Sequence, residues 1–393
     1  MKILGVFIDA LNQCFISKTD TPFLYELSNK GENIIPLESV LGYSTAIDAT
    51  IFTGTYPDTH GIWIEYYYNS HYSPYSRIPI IKLSRPIDYI PIQIFRSGIN
   101  FLLSKFVYQH YAKKFGYHEL APYNIPYRII TYFDVTTFRN FTEPKAFPVP
   151  SLVDILIENG LSFYYFTHID KITLQNALSS DVSVFYSSEA DLAGHIFGVG
   201  SKQHRNALRK IDKKIELLVN KYREKFRDNF VVLVFSDHGM ANVDTKISTL
   251  PWIKDQDLGN KYLVAIESTM MRFWYFDEEY KEKIREKLNT LEYGHLLSIK
   301  EKKKLRVYFP DNKYGEDIFL IDQGYVLYPS FKSWSIPKAM HGYHPNLKEQ
   351  LGVVISPIIS DVKAASVVDI MPTLLKLLDL EIPKTVEGRP LVI

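Results

Sequence analysis

The sequence predicts an α/β fold of three layers, with a mostly parallel sheet covered by helices on both faces and interrupted by insertions. Short apolar runs at 3–8, 162–167, 183–187, 230–235 and 352–356 alternate with segments of helical periodicity. A parallel sheet with crossover helices produces that alternation. None of the runs contains a charged residue, as strands buried on both faces require. Two of them stop at a carboxylate, and in doubly wound sheets functional groups collect at the carboxyl ends of strands.

Taken in order, Met1-Lys2-Ile3-Leu4-Gly5-Val6-Phe7-Ile8 reads as the first strand, ended by Asp9. Residues 66–150 are rich in tyrosine, phenylalanine and proline without a clean period, and read as an aromatic insertion over one end of the sheet. A helix is expected over about 203–226, where Leu208, Ile211, Ile215, Leu218, Val219 and Tyr222 recur at three- and four-residue spacing among cations. Residues 250–335 mix short strands with a charged helix around 278–287, a small accessory α+β cap subdomain. A helix over 368–379 closes the fold, with Pro372 tolerated in its first turn. No internal repeat is visible, so 1–393 is expected to be one domain carrying these two additions.

With 393 residues the chain can bury a large core. Forty-five basic against forty-four acidic residues leave a net charge of +1, so no global field recruits nucleic acid or an anionic membrane. The single cysteine, Cys14, excludes an intramolecular disulfide and a cysteine-based zinc site. The first apolar run is short and meets Asp9 at once, unlike a signal peptide. The longest apolar candidate, 87–106, is broken by Asp88, Pro91, Arg96 and Lys105, short of the roughly 20 apolar residues a membrane helix needs. A cytoplasmic location with no transmembrane segment is the expectation.

Several residues carry chemistry, each with a plain structural alternative. Ser236-Asp237-His238-Gly239-Met240 follows a buried strand and sets a carboxylate beside an imidazole at its end. Such a pair is either a hydrogen-bonded loop cap or part of a metal site. Asp9 is an ordinary helix cap or a second strand-end ligand. Ser44, after Gly42-Tyr43 and before an expected helix, is a cap or a nucleophile held where backbone N–H groups favour an anion. Asp191 and His195 are four apart, so one helical turn points both the same way. His341 sits in the turn-rich Met340-His341-Gly342-Tyr343-His344-Pro345.

Together and in this order, Asp9, Gly-Tyr-Ser44 with Thr53-Gly-x-Tyr-Pro-x-x-His-Gly behind it, Asp191-x-x-x-His195, Ser-Asp237-His238-Gly-Met and His341-Gly-Tyr resemble the alkaline phosphatase superfamily. The nearest branch is similar to the type I phosphodiesterase and nucleotide pyrophosphatase group. The resemblance runs from residue 3 to about 390, where Asp369-Ile370-Met371-Pro372-Thr373 resembles the closing helix. It implies an alkaline-phosphatase-like α/β/α core binding two divalent metals. Asp191, His195 and His341 would hold one, and Asp9, Asp237 and His238 the other, with Ser44 bridging toward the second. Oxygen and imidazole donors without thiolate suit Zn²⁺, while Mn²⁺ or Fe fits the same set. The implied activity is hydrolysis of phosphodiester or pyrophosphate bonds in a small phosphate ester through a phosphoserine intermediate on Ser44.

Two departures bear on the substrate. The branch commonly presents a threonine nucleophile in a Thr-Phe-Pro-Asn context, where this chain has Ser44-Thr45-Ala46-Ile47. Its phosphate-binding asparagine falls at Glu65, an ionised acceptor that cannot donate to phosphate. Thr45, Glu65 and Asn69 are therefore the substrate-binding candidates. A transferase, a phosphomonoesterase or a phosphonate hydrolase using the same site is the rival reading, and an inactive metal-containing binding protein a further one. The tyrosines of 66–150 either roof the site, pack as a core or form an oligomer surface. The run Glu301-Lys302-Lys303-Lys304 reads as a solvated face.

Overall fold

The computed structural model describes residues 1–89, 98–99, 101–120, 124–136, 139–332, 335–359 and 362–392. The chain folds as two units, one of Met1–Gly61, Phe141–Asn242 and Lys338–Ile393, the other of Ile62–Asn140 and Val243–Pro337.

The first unit is built on a seven-stranded sheet in the order Ala365–Ser366, Ile34–Glu38, Gly352–Ile355, Phe230–Phe235, Lys2–Ile8, Val182–Ser187, Phe163–Phe166. Every neighbouring pair is parallel except the two made by Gly352–Ile355, which runs against both Phe230–Phe235 and Ile34–Glu38. The expected mostly parallel α/β sheet is therefore present, with one reversed strand. Lys2–Ile8 lies between two parallel partners, in register Phe7 with Phe235 and Ile8 with Ser187. Its side chains Ile3 to Ile8 are buried, as a strand covered on both faces must be.

The long helix Lys202–Phe226 packs on this sheet through the six residues its periodicity selects, Leu208, Ile211, Ile215, Leu218, Val219 and Tyr222, all buried. Each contributes about 1.5–3 kcal/mol of transfer free energy. Ser201 caps its start by accepting the N–H of His204. The closing helix Ile370–Leu377 holds Pro372 in its first turn, where no intrahelical N–H is needed.

The second unit holds a four-stranded antiparallel sheet, Tyr262–Ile266, Met270–Tyr275, Asp317–Ile321 and Gly294–Leu296, and the antiparallel pair Tyr66–Tyr68 with Phe133–Val135. At its centre the Arg272 guanidinium, with no solvent exposure, is 2.6 Å from Glu267 and donates to the carbonyls of Tyr66 and Tyr314. That pairing satisfies a buried charge that would otherwise be prohibitive. Tyr66, Tyr75, Tyr108 and Tyr127 are buried, so these tyrosines of the aromatic stretch are packing residues. No helix among the described residues is long and apolar enough to cross a membrane.

Candidate metal centre and nucleophile

The sheet brings five segments to one edge. Asp9 follows Lys2–Ile8, Asp237 and His238 follow Phe230–Phe235, and Val182–Ser187 leads into the helix Glu189–Phe197 that carries Asp191 and His195. These three strands are parallel neighbours, so their carboxyl ends lie side by side. The reversed strand Gly352–Ile355 starts at that same edge and so delivers the preceding segment with His341 to it. Ile34–Glu38, parallel to the central strands through two reversals, delivers Ser44. The left-handed backbone at Gly42, φ 138°, turns the chain into the helix Ser44–Thr53.

The side chains meet in two overlapping groups. Ligand atoms of Asp9, Asp237 and His238 lie within 4.8 Å of one another, and so do those of Asp191, His238 and His341. His238 Nε2 is 3.2 Å from Asp237 and 3.5 Å from Asp9. His195 Nε2 is 3.2 Å from Asp191 Oδ1, and His341 Nε2 is 3.8 Å from the same atom. The His238 and His341 rings stack at 3.8 Å, and His195 lies 5.3 Å from His341.

The imidazoles are oriented as ligands. His238 Nδ1 is 2.9 Å from the Gly239 carbonyl and His195 Nδ1 is 2.8 Å from the Ala339 carbonyl. A carbonyl only accepts, so each Nδ1 carries the hydrogen and each Nε2 offers its lone pair to the cluster. His238 Nε2 and Asp9 Oδ1 are buried with no hydrogen-bond partner among the described residues. Buried polar atoms left this way are costly, and a cation between them removes the cost. The donor set fits two divalent metals.

Local packing holds the ligands. Asp9 Oδ2 accepts from Tyr186 Oη at 2.6 Å, and Asp237 Oδ1 accepts the N–H of Ala10 at 3.2 Å and of His238 at 3.0 Å. Ser236 Oγ accepts from Leu11 N–H and donates to the His238 carbonyl. Gly239 is required because a Cβ there would collide with the carbonyl oxygens of Glu349 and Leu351.

Burial raises the Asp9 carboxyl above the ordinary carboxylate range, reinforced by Asp191, and raises Asp237 further, reinforced by Asp9. For His195 burial opposes charge, but in the metal-free chain Asp191 accepts from the protonated ring's Nε2 and outweighs it, so the net shift is upward. The carboxyl shifts set a pH dependence. The folded metal-free chain binds protons more tightly than the unfolded chain, so these groups stabilise it fully below about pH 4 and progressively less as pH rises through their raised values. Chelator-treated protein is expected to lose Tm as pH rises above the ordinary carboxylate range of about 4, with added Zn²⁺ restoring more at the higher pH. A Zn²⁺-induced rise in Tm that shrinks with pH would contradict this.

Ser44 is the first residue of its helix, half-buried, with Tyr43 as the cap. Its neighbours tie it to the cluster: the Tyr43 ring is edge-on to His341 at 5.6 Å, and Asp48, one turn along, has its carboxyl raised by burial and then by Asp237 and Asp9. Thr45 is half-buried beside Ser44. Asp48, whose carboxyl interacts with Asp237 and Asp9, and Tyr186, bonded to Asp9, adjoin the cluster and are not among the residues expected from the sequence. The i, i+4 relation to Ser44 could have flagged Asp48, whereas Tyr186 needs the strand register.

Glu65 and Asn69 belong to the second unit. Glu65 pairs with Lys332, so its charge is compensated, and Asn69 Nδ2 donates to Asp134 at 3.2 Å. His60 is buried with Nε2 3.1 Å from Thr50 Oγ1, a turn-fixing contact.

The sequence profile of the type I phosphodiesterase / nucleotide pyrophosphatase family matches residues 3–347. Human (Homo sapiens) ectonucleotide pyrophosphatase/phosphodiesterase family member 7 is 23% identical over 254 residues, 63% of this chain and 50% of that protein. This chain therefore matches half the length of that relative. Among solved structures, murine ectonucleotide pyrophosphatase / phosphodiesterase 5 superposes with a TM-score of 0.64 at 16% identity, covering 98% of this chain and 96% of the other. An inactive threonine-to-alanine variant of the murine protein, in complex with AMP, superposes with a TM-score of 0.63 at 16% identity and the same coverage.

Proposed function

The chain belongs to the type I phosphodiesterase / nucleotide pyrophosphatase family, and on that premise we propose that it hydrolyses phosphodiester or pyrophosphate bonds of a nucleotide-type small molecule, with Ser44 as nucleophile. The observation that carries the reading is the meeting of Asp9, Asp237, His238, Asp191, His195 and His341 at the edge where the Ser44 helix begins. The AMP complex of the murine relative supports a nucleotide as substrate class.

Asp9, Asp237, His238 and Ser44 would hold one divalent cation, and Asp191, His195 and His341 the other, with Zn²⁺ the first candidate. When bound, such a pair lowers the pKa of a hydroxyl and neutralises charge at phosphorus. Ser44 Oγ forms the new bond to phosphorus as the bond to the alcohol or phosphate leaving group breaks, and the Ser44 proton passes through solvent to the departing oxygen. Water then breaks the Ser44–phosphorus bond and frees the enzyme. The helix Ser44–Thr53 presents its first N–H groups to the phosphoryl oxygens, with Thr45 beside them. Asp237 and His238 hold their orientation through bonds to the Ala10 and His238 N–H groups and the Gly239 carbonyl, so the site is organised before substrate arrives. A cytoplasmic setting is part of the proposal.

A panel of bis-p-nitrophenyl phosphate, p-nitrophenyl phosphate, a dinucleoside polyphosphate and a phosphonate ester tests the substrate class. The diester or the dinucleotide is expected to be turned over fastest. A protein that prefers the monoester, or none of the four, would contradict the reading.

A further inference from the structure

The net charge of +1 hides a local imbalance. Between residues 77 and 115 the sequence has seven lysines or arginines and one acid, Asp88. Asp88 points inward, accepting the N–H groups of Tyr127 and Arg128 at 2.8 and 2.9 Å. Lys82, Arg85, Lys113 and Lys114 are exposed.

The same stretch carries two of the three most exposed large apolar side chains among the described residues, Leu83 at 79% and Phe106 at 75%, and the third, Tyr72 at 77%, lies just before it. Phe101 and Leu102 are also exposed. Two elements display them. The helix Pro79–Ser84 buries Ile81 and Ser84 and leaves Lys82 and Leu83 outside. The helical stretch 101–115 buries Tyr108 and Ala112, leaves Phe101, Leu102 and Phe106 outside, and continues into exposed Lys113 and Lys114. Both spring from one packed base: Tyr75 and Tyr108, both buried, lie edge to face at 5.9 Å, and the Arg77 guanidinium lies 4.0 Å over the Phe115 ring.

Soluble surfaces scatter apolar residues singly, and a cluster rimmed by one sign of charge marks a partner. Aromatic and aliphatic residues interleaved with cations suit a surface that is apolar inside and anionic outside. We propose that these two elements form a membrane-surface anchor that docks on an anionic phospholipid bilayer, with Leu83, Phe101, Leu102 and Phe106 entering the acyl boundary and Lys82, Arg85, Lys113 and Lys114 at the headgroups. A nucleic acid would engage the cations but gives the exposed leucines and phenylalanines nothing to bury against. A second copy of the chain would have to oppose the same excess of positive charge.

Vesicle co-sedimentation of the full chain decides this, comparing phosphatidylcholine alone with phosphatidylcholine containing phosphatidylserine, at low and high salt. The wild type is expected to bind the anionic vesicles at least about tenfold better than the neutral ones and to be released by salt. Leu83→Glu with Phe106→Glu is expected to lose that binding, as is Lys113→Glu with Lys114→Glu, each with unchanged thermal unfolding. Both pairs lie on the exposed surface, which makes misfolding an unneeded explanation. Equal binding to both vesicle types, or binding that survives the Leu83 and Phe106 changes, would overturn the proposal. So would a concentration-dependent dimer that these changes disperse without any vesicle binding.

Discussion

Replacing Ser44 with alanine is expected to lower kcat on a diester by at least about a thousandfold and to leave the Tm of the metal-free chain unchanged, with Asp9, Asp237 and His238 still holding the cation that Ser44 helps to ligate. The stability half follows from position. Ser44 is the first helical residue, Tyr43 is the cap, and no side-chain cap bond is made there. Alanine is the better helix former by about 0.5 kcal/mol, so the helix Ser44–Thr53 has no reason to fray. The activity half follows from chemistry: no other hydroxyl occupies the first turn's leading position at that edge, and Thr45 is one residue, about 100° of helix, away. Steady-state assay beside metal analysis separates the two. A variant that keeps most of its turnover would remove Ser44 from the nucleophile role and leave the family assignment intact.

Replacing His238 with alanine is expected to cost most of the bound metal and at least as much activity. His238 is the one residue common to both three-residue groups. Its ring also stacks on His341 at 3.8 Å and its Nδ1 is tied to the Gly239 carbonyl, so truncation removes a donor and loosens a second one. Asp9 would also lose the interaction with His238 that opposes its upward shift, which pushes its carboxyl further toward the protonated, poorly ligating form. Elemental analysis is expected to fall from about two metals per chain to below one. Retention of both would show that the ligand grouping is wrong. His195→Ala, which touches Asp191 alone of the carboxylates, is expected to give the milder loss.

Much of the fold was legible because buried parallel strands write themselves as unbroken apolar runs, and the long helix writes its buried face at three- and four-residue spacing. Ile34–Glu38 escaped because Pro36 interrupts its run, and Ala365–Ser366 because two residues carry no pattern. The ligand candidates were readable at strand ends, where a carboxylate after an apolar run is conspicuous. Tyr186 was not, since its bond to Asp9 exists only through the register of two strands 177 residues apart. Glu65 looked like a repulsive charge because Lys332, its partner, lies 267 residues downstream. Asp48 sat in plain view one turn after Ser44, and its tie to Asp9 and Asp237 depends on how the helix meets the sheet.

The central claim is a covalent step on Ser44, and rapid acid quench of the enzyme during turnover of a dinucleoside polyphosphate, followed by mass spectrometry of the peptides, tests it most directly. A nucleotidyl-phosphoryl adduct is expected on the peptide carrying Ser44 and on no other, absent in Ser44→Ala. Sustained turnover with that peptide unmodified at every quench time, or the adduct on a different residue, would contradict it.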